Sequence, residues 1–168
     1  MELLDIIKQF FEEDDYDWRY MNVPGEPVLD LIYSGDNGQY QCVASALEEA
    51  QRILFYSLLP VNIPDARRRD VSEFLTRANY GLLIGNFELS FATGQVRYKT
   101  SVDVESVTPT TTMIRNLVVT NLAMIDRYLP GIMAMVYGGS SPTDALAMVE
   151  GDDDDEPSSA DLEKPEQG

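Results

Sequence analysis

The stretch VRYKTSVD, residues 96–103, decides the fold class because its side chains alternate regularly along the chain. Alternate residues of a β-strand point to opposite faces of a sheet, so each face receives one of two sets of side chains. One set is mainly apolar and the other is charged or polar: Val96, Tyr98, Thr100 and Val102 against Arg97, Lys99, Ser101 and Asp103. This pattern is typical of an antiparallel sheet with one face on a core and the other in water.

The neighbouring sequence extends this sheet to five strands. Residues 86–91 also alternate, and Thr93-Gly94-Gln95 forms a turn between the two strands. Three earlier strands are predicted at 28–34, 39–47 and 51–59, and Asn37-Gly38 indicates a tight hairpin between the first two. Helical spacing predicts helices at 2–13, from Pro64 to Gly81 and from Thr108-Pro109 to about Tyr137, and Ser141-Pro142 begins a short last helix. The expected fold is α+β, a mainly antiparallel five-stranded sheet with helices packed against it in the order α-β-β-β-α-β-β-α.

Composition divides the chain into one domain, residues 1–150, and an acidic tail, residues 151–168, that is predicted to be disordered. The chain carries 12 basic and 29 acidic residues, a net charge of −17. This charge argues against nucleic acid or an anionic membrane as a partner. A single cysteine, Cys42, and an acidic N-terminus without signal-peptide features favour a cytoplasmic protein.

The residues needed for common catalytic sites are missing. The chain has no histidine, so the commonest general base and metal ligand is absent, and Cys42 has no histidine partner. We therefore expect no metal, no cofactor and no enzymatic activity. An enzyme that uses carboxylates alone would need a buried acid in a cleft. Asp30 in VLDLIY and Asp126 in AMIDRYL come closest, but we interpret the first as an outward strand position and the second as a helix neighbour of Arg127.

The third predicted strand, RILFYSLL, differs from VRYKTSVD because both of its faces are apolar. Something must cover the second face: the N-terminal helix, a second copy of the chain in a homodimer, or a bound peptide. If a peptide or partner protein binds there, the candidate contacts are Leu54, Tyr56 and Leu58, together with the helix-borne aromatic residues Tyr128 and Tyr137.

The segment RANYGLLIGNFEL, residues 77–89, holds two glycines and two asparagines close to a tyrosine. Asn79, Tyr80 and Gly81 are predicted to end a helix, with Gly81 in the left-handed conformation, and Asn86 to begin a strand. Asparagine side chains form hydrogen bonds with nearby backbone. We therefore prefer a turn-building role for this junction over ligand binding.

Residues 55–100, FYSLLPVNIPDARRRDVSEFLTRANYGLLIGNFELSFATGQVRYKT, resemble the YbjN family of bacterial proteins. Residues 116–139, NLVVTNLAMIDRYLPGIMAMVYGG, continue the resemblance, which spans residues 26–149. It implies a fold like that of type III secretion chaperones and a sensory or stress-response regulator without established enzymatic activity.

Two functions remain open. The first is a chaperone-like or regulatory adaptor that binds a partner protein or peptide through its sheet. The alternative is a regulator that senses a small ligand between the sheet and the long helix. The methionines of the C-terminal helical region and a kink expected at Pro130 motivate this alternative.

Overall fold

The computed structural model describes residues 2–23 and 26–151, which form four helices and six strands. The helices are α1 (Leu3–Glu13), α2 (Arg68–Gly81, preceded by a 3₁₀ turn at Asp65–Arg67), α3 (Thr111–Gly138) and α4 (Pro142–Glu150). The strands are β1 (Trp18–Val23), β2 (Glu26–Ser34), β3 (Gln39–Leu47), β4 (Arg52–Leu58), β5 (Asn86–Leu89) and β6 (Val96–Asp103).

The strands form one sheet in the order β1-β2-β3-β4-β6-β5, and every neighbouring pair is antiparallel. The expected α+β class and antiparallel sheet are confirmed, but the expected number of five strands is wrong. The sixth strand is β1, whose sequence WRYMNV we assigned to no helix or strand. Its side chains are exposed apart from the half-buried Trp18, so it lacks the buried alternate positions that reveal a strand in the sequence.

The helices pack on a single face of this sheet. Their buried side chains form one core cluster with Leu31, Cys42, Phe55 and Tyr98, which belong to four different strands. From α1, Phe10 and Phe11 are fully buried in this cluster and contact the ring of Tyr16. Replacing such a buried phenylalanine by alanine costs about 3–5 kcal/mol.

The long helix α3 is fixed to the sheet by buried polar groups. Asn121 donates hydrogen bonds to the backbone carbonyls of Phe55 (3.0 Å) and Tyr98 (3.1 Å) and accepts one from the Ser57 hydroxyl. Asp126, five residues after Asn121 on the same helix, accepts hydrogen bonds from the backbone N–H groups of Asp36 and Asn37 in the β2–β3 turn. The helix therefore holds both the middle of the sheet and the turn of its central hairpin.

Asp30 lies on the sheet face opposite the helices and Asp126 precedes Arg127 on α3, as expected, but both acids are buried. Asp126 also accepts a hydrogen bond from the hydroxyl of Tyr40 at 2.7 Å. Burial, followed by this hydrogen bond to a carboxylate, raises the pKa of Tyr40 far above its usual range. The contacts of Asp126 are all structural and belong to the hairpin.

The junction between α2 and β5 differs from the expectation at its glycine. Gly81 is the last residue of α2 and is not left-handed, since the next residue, Leu82, leaves the helix in an extended conformation. The left-handed residue is Gly85, with a φ of 79°. Asn79 pairs with both backbone groups of Phe87, accepting at 2.7 Å and donating at 3.1 Å. The predicted turn-building role of Asn79 thus takes the form of a side chain that mimics a strand partner.

None of the helices within residues 2–23 and 26–151 is both long and apolar enough to cross a lipid bilayer. Helix α3 runs continuously from Thr111 to Gly138 past the internal Pro130. The acidic tail predicted at 151–168 lies outside the described residues except for Gly151.

Candidate functional site

The register of the strands sorts their side chains into two faces, because directly paired residues of neighbouring strands point to the same side. The helix-covered face contains Leu31, Cys42, Ser57 and Tyr98, which pair in sequence across four strands. The opposite face, which we name the open face, carries Arg19, Met21, Val23, Glu26, Val28, Asp30, Ile32, Ser34, Gln39, Gln41, Val43, Ser45, Leu47, Arg52, Leu54, Tyr56, Leu58, Asn86, Glu88, Arg97, Lys99, Ser101 and Asp103.

The centre of the open face is apolar. We call its apolar side chains the open-face patch: Met21, Val28, Ile32, Val43, Leu54, Tyr56 and Leu58. None of them belongs to the core cluster or to the side chains that pack against it. Val28 is buried by its neighbours on the sheet, whereas Ile32 is 51% exposed. The sheet therefore carries a second apolar surface that is separate from the core.

The open-face patch is not covered by any helix of the described residues. We considered the N-terminal helix as a cover for the second face of β4, and this is wrong, since Phe10 and Phe11 of α1 pack into the core on the other side. The buried side chains of α2, α3 and α4 also belong to that core. A second copy and a bound peptide remain the two predicted covers. Leu54, Tyr56 and Leu58 lie together on this surface and are partly exposed.

A buried hydroxyl in the patch has no partner. Ser45 is paired with Val28 on one side and with Leu54 on the other, and it is only 5% exposed. Among the described residues, its Oγ is a buried side-chain oxygen without a hydrogen-bond partner. An unsatisfied buried polar group of this kind costs about 1–3 kcal/mol.

The charges of the open face balance one another. Its four cations, Arg19, Arg52, Arg97 and Lys99, face four acids, Glu26, Asp30, Glu88 and Asp103. Arg52 bonds to Asp103 at 3.1 Å, and Arg97 and Lys99 both bond to Glu88. Partial burial raises the pKa of Glu88, but the hydrogen bonds from Lys99 and Arg97 outweigh it, so the pKa lies below its ordinary value. The open face is thus neutral in a chain with a net charge of −17.

One tyrosine of the patch is held in place by a neighbouring cation. The guanidinium of Arg97 lies 4.3 Å from the ring centroid of Tyr56, within the range of a cation–π contact. The same Arg97 bonds to Glu88 at 2.6 Å. The ring of Tyr56 therefore has a fixed position next to the charged side of the open face.

Strand β1 forms one edge of the sheet, where a row of backbone groups has no neighbouring strand. Tyr20, Met21 and Val23 on this edge are 54%, 39% and 41% exposed. The other edge, β5, has only four residues. Because β1 is longer and joins the open-face patch, it is the edge better suited to pair with an added strand.

The structure does not bring the two predicted helix aromatics to this surface. Tyr128 is buried in the core against the rings of Phe74 and Phe87, and its hydroxyl donates to Glu150. Burial, with a smaller contribution from Glu150, raises the pKa of Tyr128 above its usual range. Tyr137 is 71% exposed at the end of α3, on the helix-covered side. Tyr128 is therefore a core residue, and Tyr137 does not share a surface with Tyr56.

Sequence reasoning missed several residues of the open face. Arg19 and Met21 went unnoticed because β1 was not predicted, and Ser45 because its burial depends on two neighbouring strands. The small-ligand site that we considered as an alternative would lie between the sheet and α3, where Asn121, Ile125 and Ile132 are all fully buried. Within the described ranges, no three acidic, histidine or cysteine side chains lie close enough to hold a metal ion.

Comparisons with known proteins agree with this architecture. The model of the YbjN family, described as "Putative bacterial sensory transduction regulator", matches residues 3–133. The match begins in α1, includes β1 and ends within α3. No curated protein sequence matches the chain significantly.

A solved structure shares the fold. It is described as the crystal structure of YbjN, "a putative transcription regulator from E. coli", and it superposes with a TM-score of 0.55 over 79% of this chain and 93% of that chain. The two sequences are 11% identical, so this likeness concerns the fold alone. The family match covers most of the residues, including the sheet that carries the open face. The chain therefore belongs to the YbjN family.

Proposed function

We propose that this protein is a non-enzymatic adaptor of a regulatory system and binds an extended segment of a partner protein across the open face. The observation that carries the proposal is the open-face patch itself, an apolar surface that no described helix covers. Soluble monomers rarely expose large contiguous apolar patches unless these bind something.

The charge distribution favours a protein as the partner. Protein interfaces combine an apolar centre, depleted of charge, with a polar rim. The open face has this arrangement, since its ion pairs Arg52–Asp103 and Arg97–Glu88 flank the apolar side chains of β4. Nucleic acid would instead require an excess of cations to neutralise phosphates. The balanced charges leave no such excess.

The edge strand supplies a mechanism for binding. An extended segment can pair with the free backbone groups of β1, which gives affinity with little dependence on sequence. Its alternate side chains would then continue the surface formed by Met21, Val23 and Ile32, which selects for apolar residues at every second position. Binding an extended segment is the chaperone-like part of the proposal, and it fits the regulatory description of the family.

The single tryptophan provides a direct test, because Trp18 is the first residue of β1 and is half-buried. We would select unstructured peptides from a random library on the immobilised protein and titrate the selected peptides while measuring Trp18 fluorescence. Selected peptides should show apolar residues at alternate positions and should slow hydrogen exchange of the β1 amides.

Matched variants locate the binding surface. Tyr56→Glu and Ile32→Glu should abolish the fluorescence change, while Tyr137→Glu, an exposed aromatic on the helix-covered side, should leave it intact. Circular dichroism checks that all three variants are folded. Peptides that bind Tyr56→Glu as tightly as the unmodified protein would refute the proposal. If the protein binds no selected peptide and analytical ultracentrifugation shows that it self-associates, the open-face patch is covered by a second copy of the chain instead.

A further inference from the structure

A pocket of about 490 Å³ lies at the start of the edge strand β1, beside the open-face patch. It is lined by Asp17, Trp18, Arg19 and Ile32. Asp17 lies two residues before Arg19, so its side chain falls on the same face of the sheet as that of Arg19. Ile32 belongs to the open-face patch and is 51% exposed. The pocket therefore combines an exposed apolar side chain with two charged side chains at the free edge of the sheet.

The charges around this pocket do not cancel. The guanidinium of Arg19 lies 2.6 Å from the buried carboxylate of Asp30, which neutralises it. Among the described residues, the exposed Asp17 has no hydrogen bond and no ion pair with a cation. Arg115 of α3 contacts the connection before β1, but it is bonded to Asp14. The carboxylate of Asp17 is therefore a negative charge without a counter-charge.

Pairing with β1 would place one side chain of an added segment over this pocket. All neighbouring strands of the sheet are antiparallel, and an antiparallel segment would run along β1 from Val23 towards Asp17. Directly opposed residues point to the same side, with Cβ atoms about 4.5–5.5 Å apart. If one residue of the segment is opposite Met21, the residue four positions later is opposite Asp17. The pairing geometry thus defines which residue of the segment meets the pocket.

A long basic side chain fits this position best. Its methylene groups can lie against Ile32 while its charged end reaches the carboxylate of Asp17. An acidic side chain would face a like charge, and an apolar one would remove water from a carboxylate without replacing its hydrogen bonds. The net charge of −17 also attracts basic segments over a longer range.

We infer that the segment bound on the open face carries a lysine or arginine four residues after the apolar residue opposite Met21, and that Asp17 determines this preference. The inference rests on the proposed function, because it specifies the partner of the same surface. The partner is then an extended segment in which alternating apolar residues are followed by a basic residue.

The peptides selected from the random library give the first readout. When they are aligned on their alternating apolar residues, lysine and arginine should be enriched four positions after one of these residues. One selected peptide is then synthesised with lysine, norleucine or glutamate at that position and titrated while Trp18 fluorescence is measured. At low salt the lysine peptide should bind about two- to five-fold more tightly than the norleucine peptide, the range of a solvent-exposed ion pair. The glutamate peptide should bind most weakly, and the advantage of lysine should disappear at about 1 M salt.

Variants of the protein assign this preference to one residue. Asp17→Asn should remove the advantage of the lysine peptide, and Asp17→Lys should make the glutamate peptide the tightest of the three. The matched control is Asp15→Asn, which changes the net charge equally at an exposed position that does not line the pocket, and it should keep the advantage.

The outcomes separate this inference from the proposed function. Selected peptides that bind without an enriched basic residue, or a lysine preference that survives Asp17→Asn, would overturn the inference and leave the proposed function intact. If no peptide can be selected, the proposed function fails and the inference fails with it.

Discussion

The guanidinium of Arg19 on the edge strand β1 forms an ion pair with Asp30 on β2, with Nη2 and Oδ2 2.6 Å apart. The two residues are direct register partners on the open face. The arginine side chain is 76% exposed, whereas the aspartate side chain is fully buried and also accepts a hydrogen bond from Gln41 at 2.9 Å. An exposed cation therefore neutralises a buried anion at the edge where we expect a partner to bind.

Removing Arg19 should destabilise the protein more than its exposure suggests. In Arg19→Met, Asp30 keeps its burial but loses its counter-charge, and we expect the free energy of unfolding to fall by about 1–3 kcal/mol. Urea denaturation measures this change. Adding Asp30→Asn should recover part of the loss, since the double variant no longer buries an unpaired charge. Arg52→Met removes an exposed pair of the same face and should change stability little; an equal effect of both variants would contradict the argument.

The two glycines of the junction between α2 and β5 should respond to alanine in opposite directions. Gly81 is helical and a Cβ there would meet open space, so Gly81→Ala should be neutral or stabilise by up to about 1 kcal/mol. Gly85 is left-handed and packed against Lys99, so Gly85→Ala should destabilise by about 1–3 kcal/mol. Thermal melting of both variants distinguishes them, and a more harmful Gly81→Ala would show that the junction is wrongly described.

The buried amide of Asn121 should be essential to stability. Asn121→Leu preserves approximate volume, but the hydroxyl of Ser57 loses its acceptor and the carbonyls of Phe55 and Tyr98 lose a donor. We expect a loss of about 2–4 kcal/mol in the free energy of unfolding, because several buried polar groups become unsatisfied. Urea denaturation of Asn116→Leu, at an exposed position of the same helix, is the control. Equal stability of Asn121→Leu and the unmodified protein would contradict this role.

Stability should fall at alkaline pH. Burial raises the pKa of the Cys42 thiol to about 11 and that of Tyr98 to about 12, and it also raises those of Tyr40 and Tyr128. The folded state therefore keeps protons that the unfolded state releases. The stabilisation is fully present below the pKa values that these side chains have in the unfolded chain. It is lost as the pH rises through their pKa values in the folded state.

The urea midpoint measures this effect. It should be nearly constant up to about pH 8 and should decrease from about pH 9 to pH 11, where unfolded cysteine and tyrosine ionise. Tyr98→Phe should reduce the slope, and Tyr20→Phe, on the exposed edge strand, should leave it unchanged. A urea midpoint that rises between about pH 9 and pH 11 would contradict this prediction.

The sequence predicts the elements with strong periodicity and misses those without it. The alternation of residues 96–103 is sufficient to identify β6, and the helices follow from their apolar spacing. Strand β1 has no such signal, because an edge strand beside an open face keeps few buried side chains. At the α2–β5 junction, a glycine at a helix end suggested a left-handed stop, but the chain leaves α2 through Leu82 and turns at Gly85.

The candidate site could be anticipated only in part. The two apolar faces of β4 indicate that something lies over Leu54, Tyr56 and Leu58, and that observation comes from the sequence alone. Which face the helices cover depends on how all four of them pack, and this is a property of the complete fold. For the same reason, Ser45 becomes visible as an unsatisfied group only when Val28 and Leu54 are placed on either side of it.

The position of α3 along the chain affects folding during synthesis. A ribosome makes the polypeptide from its N-terminus, so all six strands emerge before Asn121, Ile125 and Ile132. Until that helix leaves the exit tunnel, the nascent sheet lacks its main cover on one side and has none on the other. Such an intermediate exposes an apolar surface on each face of the sheet, which makes it prone to aggregation. Biogenesis of this protein should therefore depend on how quickly translation proceeds from β6 to the end of α3.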